Sequence, residues 1–211
     1  MIFNKHSNLE GKHALLGASR WQWINDDEDG LVKRMRSMYA PDIGTILHAV
    51  AAKRIKHRFR LSKADKKSVL LELIDSGIPR VVINALDFDA MYENLMAYVN
   101  DAITFKMIPE QLLYYSDYCF GTADAISFSE KEHFLRIHDY KSGTLPVHME
   151  QLMVYEALFC HEYHFKPYEI QSELRIYKGN EVLYHKPTPD QIAPIMDQMV
   201  TQTKFLKSVN D

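Results

Sequence analysis

The sequence predicts an α+β domain, α/β in the broad sense, in which a helix-rich front leads into a sheet. Two observations carry this expectation. Up to about residue 105, apolar residues recur at helical spacing; from Ile108 onward, segments rich in aromatic and branched residues take over. After the third such segment a helical run intervenes, which gives the order β-β-β-α-β before a closing helix. No internal repeat or low-complexity linker divides the 211 residues, so a single domain is expected. Residues 1–105 form its mainly helical part, and residues 106–211 its sheet core and closing helix.

Bulk properties exclude several classes. Apolar residues make up 46% of the chain, enough for a full core. No apolar run approaches the roughly 18 residues needed to span a bilayer, so no membrane partner is expected. The stretch MIFNKHSNLEGKH has no signal-peptide apolar region. Cys119 and Cys160 have no metal-type spacing, so a disulfide framework or a cysteine-held cluster is not expected, and a cytoplasmic location fits. The net charge of −3 does not by itself suggest nucleic acid; the distribution of charge matters more.

The elements follow in order. Ser19 is placed to cap a short helix through Trp21, Trp23 and Ile24. The acidic run NDDEDG, residues 25–30, reads as a solvated turn, because it lacks the spacing and terminal glutamate of a calcium loop. In DIGTILHAVAAKRIKHRF, Ile43, Leu47, Val50, Ala51 and Ile55 define one face of an amphipathic helix. A second helix is expected from about Ala64 to Ser76, capped at Gly77. A third runs from about Asp89 to Thr104, with Met91, Leu95, Met96 and Val99 inward, and Pro79 and Asn84 mark the link before it. Strands are expected at 111–118, 120–128 and 134–139, with SEKEH as a hairpin turn. A helix follows from Val147 to about His164, then a strand at 168–177 with Leu183-Tyr184 as a short continuation. Pro187 and Pro189 introduce a final helix from Asp190 to about Val209.

The chemistry concentrates at Asp139-Tyr140-Lys141. On a strand the side-chain period is two, so Asp139 and Lys141 point to one face. Asp124 lies on the neighbouring strand. Two carboxylates and a lysine can hold a divalent cation and a reacting water; a charged strand end with a surface ion pair would look the same. Lys53, Arg54, Lys56, Arg58 and Arg60 read either as a solvated helix end with favourable dipole charges or as a patch that tracks phosphates. His138 points away from Asp139 and is expected to be structural, and His161 and His164 have no nearby acid to complete a metal pair. Tyr114, Tyr115, Tyr118 and Phe120 are expected to pack in the core, with base stacking as the alternative.

Four motifs in order resemble the PD-(D/E)XK nuclease superfamily, in particular its RecB-type exonuclease branch. They are Gly44-Thr45-x-x-His48, Gly121-Thr122-Ala123-Asp124, Asp139-Tyr140-Lys141 and Gln151-x-x-x-Tyr155. The resemblance covers roughly residues 40 to 180. It implies a restriction-endonuclease-like αβββαβ core with a mixed central sheet flanked by helices, extended at the N-terminus by helices. It also implies DNA as the substrate and Mg²⁺ or Mn²⁺, one or two ions, as the cofactor. His48, Asp124, Asp139 and the backbone carbonyl of Tyr140 would then be metal ligands, with Glu110 as a further acid. Lys141 would position or polarise the attacking water. Gln151 and Tyr155, one helical turn apart, would orient the substrate strand, and the run from Lys53 to Arg60 becomes a candidate DNA contact.

One departure from the family is informative. Some branches hold an iron–sulfur cluster on four cysteines, and two cysteines cannot do so. No helicase motif is present. The chain is similar to phage-encoded exonucleases of recombination modules, which would place it in the cytoplasm of a host cell. The resemblance leaves open a homo-oligomer, an annealing protein or helicase as partner, and an endonuclease or a non-catalytic DNA-binding subunit of the same fold.

Overall fold

The computed structural model describes residues 4–143 and 146–209. Its elements are α1 (Glu28–Lys56), α2 (Lys66–Asp75), α3 (Arg80–Asn84), α4 (Phe88–Thr104), β1 (Ile108–Ser116), β2 (Cys119–Ser129), β3 (Phe134–Lys141), α5 (Glu150–Glu162), β4 (Gln171–Lys178), β5 (Glu181–His185) and α6 (Pro189–Ser208). From α4 to β4 the order is αβββαβ, as expected. Short 3-10 turns lie at Ser7–Leu9, Ala18–Asn25, Lys63–Asp65 and Pro167–Glu169.

The front of the chain departs from the sequence reading in two ways. The acidic run is not a turn but the start of α1. Asp27 caps that helix by accepting from the Gly30 amide at 2.8 Å, and Glu28 and Asp29 fill its first turn. Carboxylates there meet the unpaired amides and positive end of the helix dipole. The helix then runs through Pro41, whose missing N–H forgoes one helical hydrogen bond. Ser19 does not cap; Gly17 precedes the 3-10 turn, and its carbonyl accepts from the Trp23 indole at 3.1 Å. The link at Pro79–Asn84 contains the helical turn α3.

The sheet is five-stranded and mixed, in the order β1-β2-β3-β4-β5. β1, β2 and β3 are antiparallel neighbours, β3 and β4 are parallel, and β4 and β5 antiparallel. A parallel pair requires a crossover, and α5 provides it. Leu183-Tyr184 belongs to a separate edge strand rather than a continuation of β4, because Gly179 adopts a left-handed φ of 58° and turns the chain back.

Two cores sandwich the sheet. On one face, Leu47, Ile55, Leu73, Leu95 and Val99 of the front helices meet Ala125, Tyr140 and Tyr177. All five residues expected inward on α1 are buried there. On the other face, Leu152, Leu158 and Phe159 of α5 and Ile192 of α6 meet Leu113, Ala123, Ile137 and Ile176. His138 is buried with its ring against Phe105 and Tyr177, which fits the structural role expected of it. His161 is half-buried against the Tyr115 ring and bonds the Met196 carbonyl, tying α5 to α6.

A candidate metal centre at a split between two strands

β2 and β3 part company at the site. Their pairing begins at Ser129–Phe134 and ends, among the described residues, at Ala125–His138. Beyond that point β2 pairs with β1 as far as Cys119, while β3 continues beside β4 to Lys141. The next residues on either side of the split are Asp124 and Asp139. Asp124 closes the gap itself, since its Oδ2 accepts from the Tyr140 amide at 2.9 Å. A carboxylate thus takes the place of a strand carbonyl and leaves its other oxygen for chemistry.

The split also changes which way the residues of β2 face. Ala123 and Ile126 both belong to the core under α5, whereas Ala125 faces the front helices. Strict alternation cannot place 123 and 126 on one side, so the strand rotates at Asp124. Opposite it in β1 stands Glu110, with a left-handed φ of 52°. A non-glycine residue held in that region is strained, and such strain gathers at functional positions. No sequence signal marks it.

Three potential ligands converge here. One atom from each of His48, Glu110 and Asp124 lies within 4.8 Å of the others. His48 arrives on α1, two turns from Pro41, and its Nδ1 is 3.4 Å from Asp124 Oδ2. Burial holds the His48 imidazole below its usual pKa, against the raising pull of Asp139 and Glu110. A neutral imidazole is the ligand form, so this contact is two potential ligands side by side rather than an ion pair. The three line a cavity of about 620 Å³ with Pro41, Gly44, Thr45, Ala49 and Ala52. A Cβ on Gly44 would meet only the Ser142 hydroxyl, at 3.5 Å. Packing does not demand that glycine; its effect is to keep the cavity wall open.

Asp139 and Lys141 stand on the α5 side of the split. Lys141 Nζ donates to Asp139 Oδ1 at 3.0 Å and to Gln151 Oε1 at 3.2 Å. Gln151 in turn donates to the Tyr155 hydroxyl at 3.4 Å. The edge of the Tyr155 ring points at Gly121, where a Cβ would come within 2.9 Å of its Cε1. The first glycine of the Gly121–Asp124 motif therefore seats the last residue of the Gln151–Tyr155 motif. The structure thus brings His48, Glu110 and Asp124 within ligand distance of one another, links Asp139, Lys141, Gln151 and Tyr155 in a hydrogen-bonded chain that stands outside that trio, and joins the two groups through the Tyr140 amide.

A cation fits this donor set. Asp139 is 2% exposed, and its Oδ2 has no hydrogen-bond partner. A buried, unpartnered carboxylate oxygen is costly unless something positive meets it. Burial, followed by the charge of its neighbour Asp124, pushes the Asp139 carboxyl above the usual carboxylate range. Asp124 is raised for the same first reason, although the Tyr140 amide opposes it. Hard oxygen donors with one imidazole suit Mg²⁺ or Mn²⁺.

The basic run divides. Arg54 reaches Asp65 at 3.4 Å, and Arg60 bonds the Asn100 carbonyl and the Thr104 hydroxyl. Lys53, Lys56 and Arg58 hold no ion pair among the described residues. Lys56 stands one helical turn beyond Ala52 and so continues the cavity wall, whereas Lys53 lines a separate pocket with Val50, Arg54, His57, Phe59 and Glu72. The aromatic residues are corrected outright: Tyr114, Tyr118 and Phe120 are exposed, and only Tyr115 is half-buried. The reason is that α5 covers just one face of the β1–β2 hairpin.

The fold and the site define an α+β protein with a mixed five-stranded sheet and a His–Glu–Asp cluster at a strand split. The chain belongs to the family described as "Protein of unknown function (DUF2800)", whose model matches residues 13–177. That span takes in every site residue from His48 to Tyr155. No curated protein matches the chain. No helix of the described residues is long and apolar enough to cross a membrane.

Proposed function

We propose that this chain is a divalent-metal-dependent deoxyribonuclease that hydrolyses phosphodiester bonds, acting as an exonuclease. The observation that carries the reading is the meeting of the His48–Glu110–Asp124 cluster with the Asp139–Lys141 pair at one strand split. Resemblance to RecB-type exonucleases in four ordered motifs supports action from DNA ends.

His48, Glu110, Asp124 and Asp139 would hold Mg²⁺ or Mn²⁺. When bound, the ion supplies Lewis acidity at the phosphate and lowers the pKa of water. The chain's own residues do the rest. Lys141 presents an ammonium where the scissile phosphate gathers negative charge in the transition state. Asp139 and Gln151 fix that ammonium from two sides. Tyr155, seated on Gly121, holds Gln151 in turn. Lys56 continues the groove with charge suited to a phosphate backbone.

The test is digestion of linear and covalently closed DNA with Mg²⁺, with Mn²⁺ and with chelator, against a Lys141→Ala control. Metal-dependent loss of linear DNA alone, absent in the variant, is the expected result. Cutting of closed circles would make the enzyme an endonuclease. Retention of DNA with no cutting in any divalent metal would overturn the catalytic reading in favour of a binding subunit.

A further inference from the structure

The face of the β1–β2 hairpin opposite α5 is apolar, uncovered and continuous with the metal centre. Leu113, Gly121 and Ala123 point to α5. Their neighbours Leu112, Tyr114, Phe120 and Thr122 therefore point to the side of α1 and the cavity. Leu112 is 50% exposed, Tyr114 43% and Phe120 58%, and Tyr114 and Phe120 are directly paired across the strands. Phe120 and Asp124 are four residue steps apart along β2, about 13 Å. Over that length this face carries no charged side chain except the site acids.

We propose that this face is a stacking platform for the unpaired bases of a single DNA strand whose phosphates run along α1. The inference rests on the nuclease reading and narrows its substrate to single-stranded ends. One wall of the groove carries the Lys56 ammonium; the other is aromatic, with its carboxylates only at the two ends, Asp117 beside Tyr114 and the site acids beyond Thr122. A single strand has that same division, with charge on one edge and π-faces on the other, and stacking tolerates any sequence. The Tyr114 hydroxyl donates to Asp117 at 2.8 Å, which holds the ring in place before a base arrives. A second copy or a protein strand is disfavoured at this edge, because Glu162 of α5 already accepts from the Tyr114 amide at 2.9 Å.

The experiment measures retention of a short fluorescent oligo-dT strand and of a blunt duplex, with Ca²⁺ replacing Mg²⁺ to hold the strands uncut. Phe120→Ala and Tyr114→Ala should each weaken oligo-dT by at least about fivefold and leave the blunt duplex within about twofold. A fluorescent base analogue in the strand should be quenched by the wild-type protein and not by Phe120→Ala. Equal loss on both substrates, no loss on either, or a change of oligomeric state by light scattering in Phe120→Ala would overturn the platform. If the wild-type protein neither retains nor cuts DNA, the nuclease reading fails and the platform with it. If the wild type cuts DNA while both variants hold oligo-dT normally, the platform alone fails.

Discussion

Asp124 Oδ2 lies 2.9 Å from the Tyr140 amide nitrogen, so one carboxylate both completes a strand ladder and faces the candidate metal centre. The two duties can be separated. Asp124→Asn keeps an oxygen that accepts from Tyr140 but removes the charge a cation needs. It should fold with wild-type stability and lose more than about 100-fold in metal-dependent cleavage. Asp124→Ala also orphans a backbone donor, at a cost of about 1–3 kcal/mol. Chemical denaturation of both variants beside the cleavage assay checks this, and equal stability of the two would contradict the ladder role.

Gly121 and Tyr155 offer a test of the support beneath Lys141. A methyl at residue 121 cannot coexist with the Tyr155 ring at 2.9 Å. In Gly121→Ala the half-buried ring shifts, Gln151 loses its partner, and the lysine loses one of two anchors. Cleavage should fall by about 10–100-fold, as when a supporting contact behind a site residue is removed. Overpacking costs about 1–3 kcal/mol. Gly121→Ala combined with Tyr155→Phe should not restore activity, because the ring rather than its hydroxyl is in the way. Combination with Tyr155→Leu should recover the stability measured by thermal melting.

The basic run separates by role. Lys56→Ala removes a free cation on the groove wall, so DNA binding should weaken uniformly across sequences, and the dependence of log K on log salt should flatten by about one unit. Arg54→Ala should leave that slope unchanged, because Arg54 already faces Asp65. Salt titrations of binding for both variants decide the matter. A slope change in Arg54→Ala alone would reverse the assignment.

Much of the fold is legible because two periodicities change hands at a definite place. Apolar spacing of three and four residues ends at Thr104, and alternation begins at Ile108. The site residues are legible because their spacing follows the elements that carry them. Local signals misled where they compete with tertiary context. The helix expected within DIGTILHAVAAKRIKHRF begins much earlier, at Glu28, and continues through Pro41, with Ile43, Leu47, Val50, Ala51 and Ile55 buried beyond it. The acids at 26–29 read as a loop, although one of them is a helix cap. Aromatic content identified the hairpin strands but not which face would be covered, because coverage depends on where α5 lands. The strained backbone of Glu110 leaves no trace in the residues around it.

Glu156 carries a last, independent consequence of burial. It sits on α5 under the sheet, is 3% exposed, and its Oε2 accepts from the Ser172 hydroxyl at 2.7 Å. Burial pushes its carboxyl up from 4.5 to about 7, and the Ser172 hydrogen bond only partly opposes this. Between those values the folded state keeps a proton that the unfolded chain has released. Stability from this residue is therefore full below about pH 4.5 and declines as pH rises through 7, by about 1–3 kcal/mol. Glu156→Gln keeps an acceptor for Ser172 and has no proton to lose. Relative to wild type it should gain stability near neutral pH and match it at the acid end. Subtracting the two pH profiles of unfolding free energy cancels Asp124 and Asp139, whose raised pKa values act in the same direction. Parallel profiles across the whole range would mean that Glu156 ionises as readily in the folded protein as in the unfolded chain, which contradicts its burial-raised pKa.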